Sequence, residues 1–216
     1  KKIKEAREAL DRAYDLLLEG IQNIPDVGLR RNYLNKVALN RELLQYWLKD
    51  ATKRKLSKER TCAYLNIESN SREPFKRLTN TSLRLNALHT VEEIKNFLVE
   101  EATELSGGER VVLILENDGK REAANSLLPH GEDARTFPAS IGRYLTATRL
   151  THTTQLILPK KQGLSRIIAP LITQNKLIGY IYVDMDSTYG VFNETDRDMI
   201  GMLANQAAIA IDNASL

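Results

Sequence analysis

The chain has 216 residues, 42% hydrophobic and 27% charged, the balance of an ordinary soluble globular protein with room for one large domain or two small ones. No apolar run approaches the roughly 18 residues that span a bilayer and no charged-then-apolar signal opens the sequence, so a cytoplasmic protein with no membrane partner is expected. The net charge of +3 hides an asymmetry, 18 Lys and Arg against 11 Asp and Glu in residues 1–80 (+7) and 13 against 17 (−4) in residues 81–216, which points to two units.

Residues 1–24 read as a helix, because Ile3, Ala6, Leu10, Ala13, Leu17 and Ile21 recur at spacings of three and four, with Leu16 and Leu18 widening the apolar face. Pro25-Asp-Val-Gly28 breaks it. A second helix is expected from Leu29 to Lys55, burying Leu34, Val37, Leu39, Leu44, Trp47 and Leu48, and the two helices form an antiparallel hairpin. Ser57 stands as N-cap of a third helix carrying Ala63, Tyr64, Leu65 and Ile67, with Cys62 as a small buried hydrophobe, ahead of a polar loop over 68–74. Paired helices allow a tetratricopeptide-like solenoid, but no second copy of about 34 residues follows. A helical extension packed on the next domain is the equal alternative.

Helix resumes from Pro74 to Glu104 with a reset at Thr90, whose hydroxyl caps the following segment while Glu93 closes a capping box; Leu88, Val91, Ile94, Leu98 and Leu105 form its buried set. Ser106-Gly-Gly108 ends it. Arg110–Glu116 reads as a strand, and Asn117-Asp-Gly-Lys120 as a hairpin turn into an edge strand over Arg121–Leu128. Pro138 opens a helix over Ala139–Thr148 with Ile141, Tyr144 and Leu145 inward, followed by a short strand, Gln155–Leu158, and the turn Pro159–Gly163.

The most informative stretch comes last. Arg166-Ile-Ile-Ala-Pro-Leu-Ile-Thr173 and Leu177-Ile-Gly-Tyr-Ile-Tyr-Val-Asp184 are strands joined through Gln174-Asn-Lys176. Asp186–Gly190 turns, Asn193 caps, and Met199, Leu203, Ala207, Ala210 and Ala214, with Ile200, Ala204 and Ile211 beside them, give a wide apolar helical stripe. Together with Phe192-Asn-Glu-Thr-Asp196 and the run Leu203–Ala214, this order of segments resembles the C-terminal half of a GAF domain, the resemblance covering Leu83 to Leu216. It implies an α+β domain over residues 81–216: a GAF-like antiparallel sheet with helices on both faces, preceded by an α-helical hairpin region over residues 1–80. The final helix and the one starting at Thr90 would cover one face. Phe137–Gln155 would roof a pocket on the other.

No catalytic constellation stands out. His89, His130 and His152 lie in separate segments without metal-ligand spacing, and glycine-rich phosphate loops and nucleophile elbows are absent, so no metal, no cofactor and no enzymatic activity are expected. Cys62 is the only thiol and lies outside the GAF-like region, which argues against free methionine sulfoxide reduction and covalent bilin attachment, both of which the family performs through pocket cysteines. The cyclic-nucleotide signature of the family is also imperfect, since Arg197 follows Asp196 where Glu is wanted and Asn175-Lys176 precedes the last strand.

Alternation along the last strand puts Leu177, Gly179, Ile181 and Val183 beneath the long helices and Ile178, Tyr180, Tyr182 and Asp184 toward the pocket. Arg166, Ile168 and Tyr144 join them as candidate contacts for a small polar or anionic ligand, against the alternative that Arg166 pairs with an acid and the tyrosines fill the core. Ala204, Ala207, Ala208 and Ile211 are read as a small-residue homodimer surface. The abrupt start at Lys1 and the end at Leu216 read as a fragment of a longer intracellular, bacterial-style signalling protein whose output domain lies elsewhere in the same chain. The expected function is regulatory or sensory. An interaction scaffold is the alternative, and nucleic-acid binding is disfavoured because acids interleave the basic residues of 1–80.

Overall fold

In the computed structural model, which describes residues 2–68, 72–174 and 176–215, the apolar and β-branched runs form β1 (Arg110–Asn117), β2 (Lys120–Leu127), β3 (Gln155–Ile157), β4 (Leu164–Thr173) and β5 (Lys176–Asp186). They pair antiparallel in the order β2-β1-β5-β4-β3, which puts the charged β2 at an edge and β5 at the centre. Asp118 and Gly119 link β1 to β2 at φ of 49° and 79°, the left-handed pair that a two-residue hairpin demands. Lys1, Leu216, Asn175 of the expected β4–β5 turn and residues 69–71 of the expected polar loop lie outside the described residues.

Alternation gives the sheet two buried faces. Val111, Leu113, Ile167, Ala169, Ile181 and Val183 pack beneath α6 (Val91–Ser106) and α9 (Glu194–Ala214). Val112, Ile114, Ile168, Tyr180 and Tyr182 face α7 (Phe137–Ser140) and α8 (Gly142–Thr151), with Leu145 of α8 and Ile141 from the junction between the two helices packed on them. Both long helices start as expected: Thr90 and Glu93 close a capping box on α6, and Asn193 and Asp196 close one on α9. Gly107, at φ 72°, ends α6.

Three local expectations are corrected. The alternation in β5 reverses at its start, where the register against β4 slips between Leu171 and Ile172. The extra residue of a bulge inverts side-chain direction, so Leu177 packs with the tyrosine face and Ile178 with the helix-covered face. The helix expected over Leu29–Lys55 is two, α2 (Val27–Asn35) and α3 (Ala38–Lys53). Asn35 and Lys36 donate to the carbonyls of Gly107 and Glu109, which holds α2 on the sheet module while α3 turns away to pack on α1 (Lys2–Gln22). The turn leaves Val37 and Leu39 42% and 74% exposed instead of buried. The third helix shortens to α4 (Lys58–Thr61), capped by Ser57, and a single 3-10 turn over Ala63–Leu65, with Cys62 half-buried.

The N-terminal helices share the core of the sheet module. Tyr14 and Trp47 stack at 3.5 Å and belong to the same buried cluster that runs through Leu34, Leu105 and Leu203 to Ile211. α5 (Arg72–Asn86) passes through residues 80 and 81 and packs on α6 and α9. Ala204, Ala207, Ala208 and Ile211 are all buried within the chain, and this corrects the reading of them as an outward surface: α9 needs its small side chains to lie close on β4, α5 and α6. Its exposed apolar residues are Met202 and Ile209. Among the described residues no helix is long and apolar enough to cross a membrane.

Candidate functional site

Antiparallel register gathers Arg166, Ile168, Tyr180, Tyr182 and Asp184, five of the residues singled out from the sequence, on the sheet face beneath α7 and α8. Arg110 of β1, Asp184 of β5 and Arg166 of β4 are direct cross-strand neighbours, and Val112, Tyr182 and Ile168 form the adjacent row. Tyr144 comes down from α8 and lies under the Arg166 guanidinium, 5.3 Å from ring centre to carbon.

Asp184 is 1% exposed and accepts from Arg110 Nη1 at 3.1 Å and from the Tyr182 hydroxyl at 2.7 Å. Burial pushes its carboxyl above the usual aspartate range, opposed by those two donors and by the charge of Arg166. Arg110 continues to Glu132 through two bonds of 2.6 and 2.8 Å. Farther along the same face the Tyr180 hydroxyl, which burial pushes up to about 12, donates to Glu116 Oε2 at 2.7 Å. Glu116 also accepts from Arg121 Nε at 2.8 Å and pairs with Arg149 of α8.

Ile168, Tyr180 and Tyr182 are buried to within 1% and fill the space against Ile141 and Leu145. Arg166 differs from them. Its Nη1 reaches only the Leu164 carbonyl, at 3.4 Å, and its buried Nε has no hydrogen-bond partner. A half-buried guanidinium with unused donors is suited to receive an anion or a carbonyl. Sequence reasoning missed Arg110, Glu116, Arg121 and Arg149; Glu116 and Arg121 were the legible ones, as oppositely charged partners across the Asp118-Gly119 hairpin. His89, His130 and His152 are not brought together, and among the described residues no group of three His, Cys, Asp or Glu could hold a metal ion.

A second polar assembly joins the N-terminal helices to this module. Four residues of α2 and its cap donate to carbonyls in the last turn of α6 and the segment that follows it: Asn32 to Thr103 at 2.9 Å, Arg31 to Ser106 at 2.9 Å, Asn35 to Gly107 at 2.9 Å and Lys36 to Glu109 at 2.6 Å. The Ser106 carbonyl is one of those that a helix C-terminus leaves unsatisfied. Arg31 also bonds Asp196 Oδ1 at 3.0 Å and the Val191 carbonyl at 3.1 Å, so it ties the end of α6 to the start of α9.

The sequence pattern of the GAF domain matches residues 90–211, more than half of the chain. No curated protein matches it in sequence. Among solved structures, a methyl-accepting chemotaxis protein fragment is similar with 19% identity and a TM-score of 0.52, covering 62% of this chain and 96% of that one. The GAF domain of a phosphoenolpyruvate-protein phosphotransferase from Coxiella burnetii is 16% identical with a TM-score of 0.50, over 68% of this chain and 97% of the other. The chromophore-binding domain of the bacteriophytochrome RpBphP3 from R. palustris is 12% identical with a TM-score of 0.54, over 69% and 65%. At these identities the likeness is one of fold.

Proposed function

The chain belongs to the GAF domain family, and from that premise we propose that it is the regulatory module of a larger signalling protein, in which a small polar or anionic molecule on the sheet face alters the helices that lead to an output domain. GAF domains serve as sensory and regulatory modules, and the similar structures include a chemotaxis protein and a phytochrome domain. The observation that carries the ligand reading is Arg166, with a buried Nε lacking a partner beside Tyr144, Tyr182 and Asp184. Screening nucleotides, amino acids and small aromatic acids by thermal shift tests it. A ligand at 100 times its dissociation constant adds about 2.7 kcal/mol, and Arg166→Ala should abolish the shift while the free protein stays folded.

A second reading, a protein-interaction scaffold with a closed GAF fold, is favoured by the completeness with which Ile168, Tyr180 and Tyr182 are buried. No shift from any compound would leave this reading standing. In either case the module works as a cytoplasmic homodimer. Because the small residues of α9 are buried, the dimer uses the outer face of that helix around Met202 and Ile209. A monomer in sedimentation at tens of micromolar would remove the dimer and leave the rest.

A further inference from the structure

A cleft of about 310 Å³ lies between the N-terminal helices and the segment joining β5 to α9, built from residues that the sheet-face reading does not use. Its lining is mixed: Val27 and Leu34 of α2, Leu65 and Ile67 beyond α4 and Val191 before α9 give it an apolar side, and Ser187, Tyr189 and Asn193 a polar one. At its base stand Arg30 and Arg31. Among the described residues that line it there is no Asp or Glu.

Arg30 is 6% exposed, yet every bond it makes is to a main-chain carbonyl: Ile24 at 3.1 and 2.8 Å, Ile67 at 2.9 Å and Glu68 at 3.0 Å. Carbonyl oxygens satisfy its donors without neutralising its charge, so among the described residues this buried cation has no ion-pair partner. Burial accordingly draws its pKa down, even with Asp26 nearby opposing the shift. Arg31 commits both Nη atoms to Ser106, Asp196 and Val191. Its Nε lies 3.5 Å from where a side chain on Gly190 would begin, so the glycine leaves that edge of the guanidinium uncovered toward the cleft.

We propose that this cleft is a second ligand site, for a small anionic amphiphile whose carboxylate accepts from the free Nε edge of Arg31, beside the charge of Arg30, and whose hydrocarbon part lies against Leu65, Ile67 and Val191. The charge requirement comes from Arg30, whose charge is not neutralised by a described acid, and from the open Nε edge of Arg31; the apolar requirement comes from Leu65, Ile67 and Val191. Binding there acts on α9 directly. Arg31 holds Asp196, the residue that closes the α9 capping box, and an anion that draws on the same guanidinium loosens that hold.

Octanoate and 1-octanol, matched in chain length and different in charge, serve as probes in calorimetric titration and thermal shift. Octanoate should bind saturably and raise the unfolding midpoint, with octanol at least about tenfold weaker because it cannot pair with the guanidinium groups. Leu65→Trp and Val191→Trp, which add bulk at positions 41% and 43% exposed and therefore tolerant of it, should each weaken octanoate by a similar factor. Arg166→Ala should leave octanoate binding unchanged, which separates this site from the sheet face. Equal binding of octanol and octanoate, insensitivity to both tryptophan variants in folded protein, or no binding of octanoate at millimolar concentration would each overturn the proposal.

Discussion

Glu116 and Asp184 are buried carboxylates on the same sheet face whose protons respond in opposite directions. Burial alone would raise Glu116, but hydrogen bonds from Arg121 and Tyr180 and the charges of Arg121 and Arg149 outweigh it and hold the carboxyl below its ordinary value of 4.5. A depressed pKa contributes stability that is present above the unfolded value and lost as pH falls through the folded one. Glu116→Gln should therefore cost about 2 kcal/mol at neutral pH and should flatten the fall of the urea midpoint below pH 4.5. An unchanged acid limb would show that the donors do not hold the proton off. Asp184 carries the opposite sign: with its pKa raised by burial, its contribution is fully present below 3.8 and is lost as pH rises through the folded value. That residual strain is tolerable because Arg110 and Tyr182 supply donors, and an anionic ligand on Arg166 would add to it.

The element that decides how the N-terminal region attaches is α2, and its approach to α6 depends on one missing side chain. A Cβ on Gly28 would lie 2.3 Å from the Glu104 carbonyl oxygen and 2.5 Å from that of Leu105, both rigid backbone. Gly20 in α1 offers a contrast, since a Cβ there would first meet the Tyr33 hydroxyl at 3.4 Å. Helix propensity favours alanine over glycine by up to about 1 kcal/mol at either position. Gly20→Ala is thus expected to stabilise slightly, whereas Gly28→Ala is expected to destabilise by about 1–3 kcal/mol as α2 is forced off the end of α6. Chemical denaturation of the two variants checks both signs. Stabilisation by Gly28→Ala would mean that α2 can retreat without loss, and the four bonds from Arg31, Asn32, Asn35 and Lys36 to the carbonyls at and just beyond the end of α6 would then contribute little.

Across the whole molecule, one hydrophobic cluster runs from Tyr14 and Trp47 to Leu203 and Ile211, and the buried pair of Arg31 with Asp196 bridges the same interface. A shared core and a buried ion pair predict one cooperative transition, with the N-terminal helices melting together with the sheet. Trp47, the sole tryptophan, reports on those helices by fluorescence, and far-ultraviolet dichroism reports on the entire chain. Their urea midpoints should coincide. Arg31→Met should lower both together, with a loss of about 3–5 kcal/mol in unfolding free energy, because it strands Asp196 and the carbonyls of Ser106 and Val191. Separated midpoints would show instead that residues 2–65 form an independent unit.

Much of this was present in the residue pattern. The Thr90 and Asn193 caps, the Asp118-Gly119 hairpin, the alternation of Tyr180, Tyr182 and Asp184 and the long apolar stripe of α9 depend on neighbours within a few positions, and local sequence determines them. Family membership was legible for the same reason, as an ordered series of such segments. Other features required the tertiary structure. The break at Lys36 exists because Asn35 and Lys36 find carbonyls 72 and 73 residues away, and no local signal marks it. The alanines of α9 pattern alike whether they face a second copy or this chain's own β4 and α6, and only packing distinguishes the two. Nothing in the local sequence singles out Arg30 and Arg31; folding buries them, because the partners that satisfy their donors come together only once the end of α6, the start of α9 and the Ile67 turn have assembled around them.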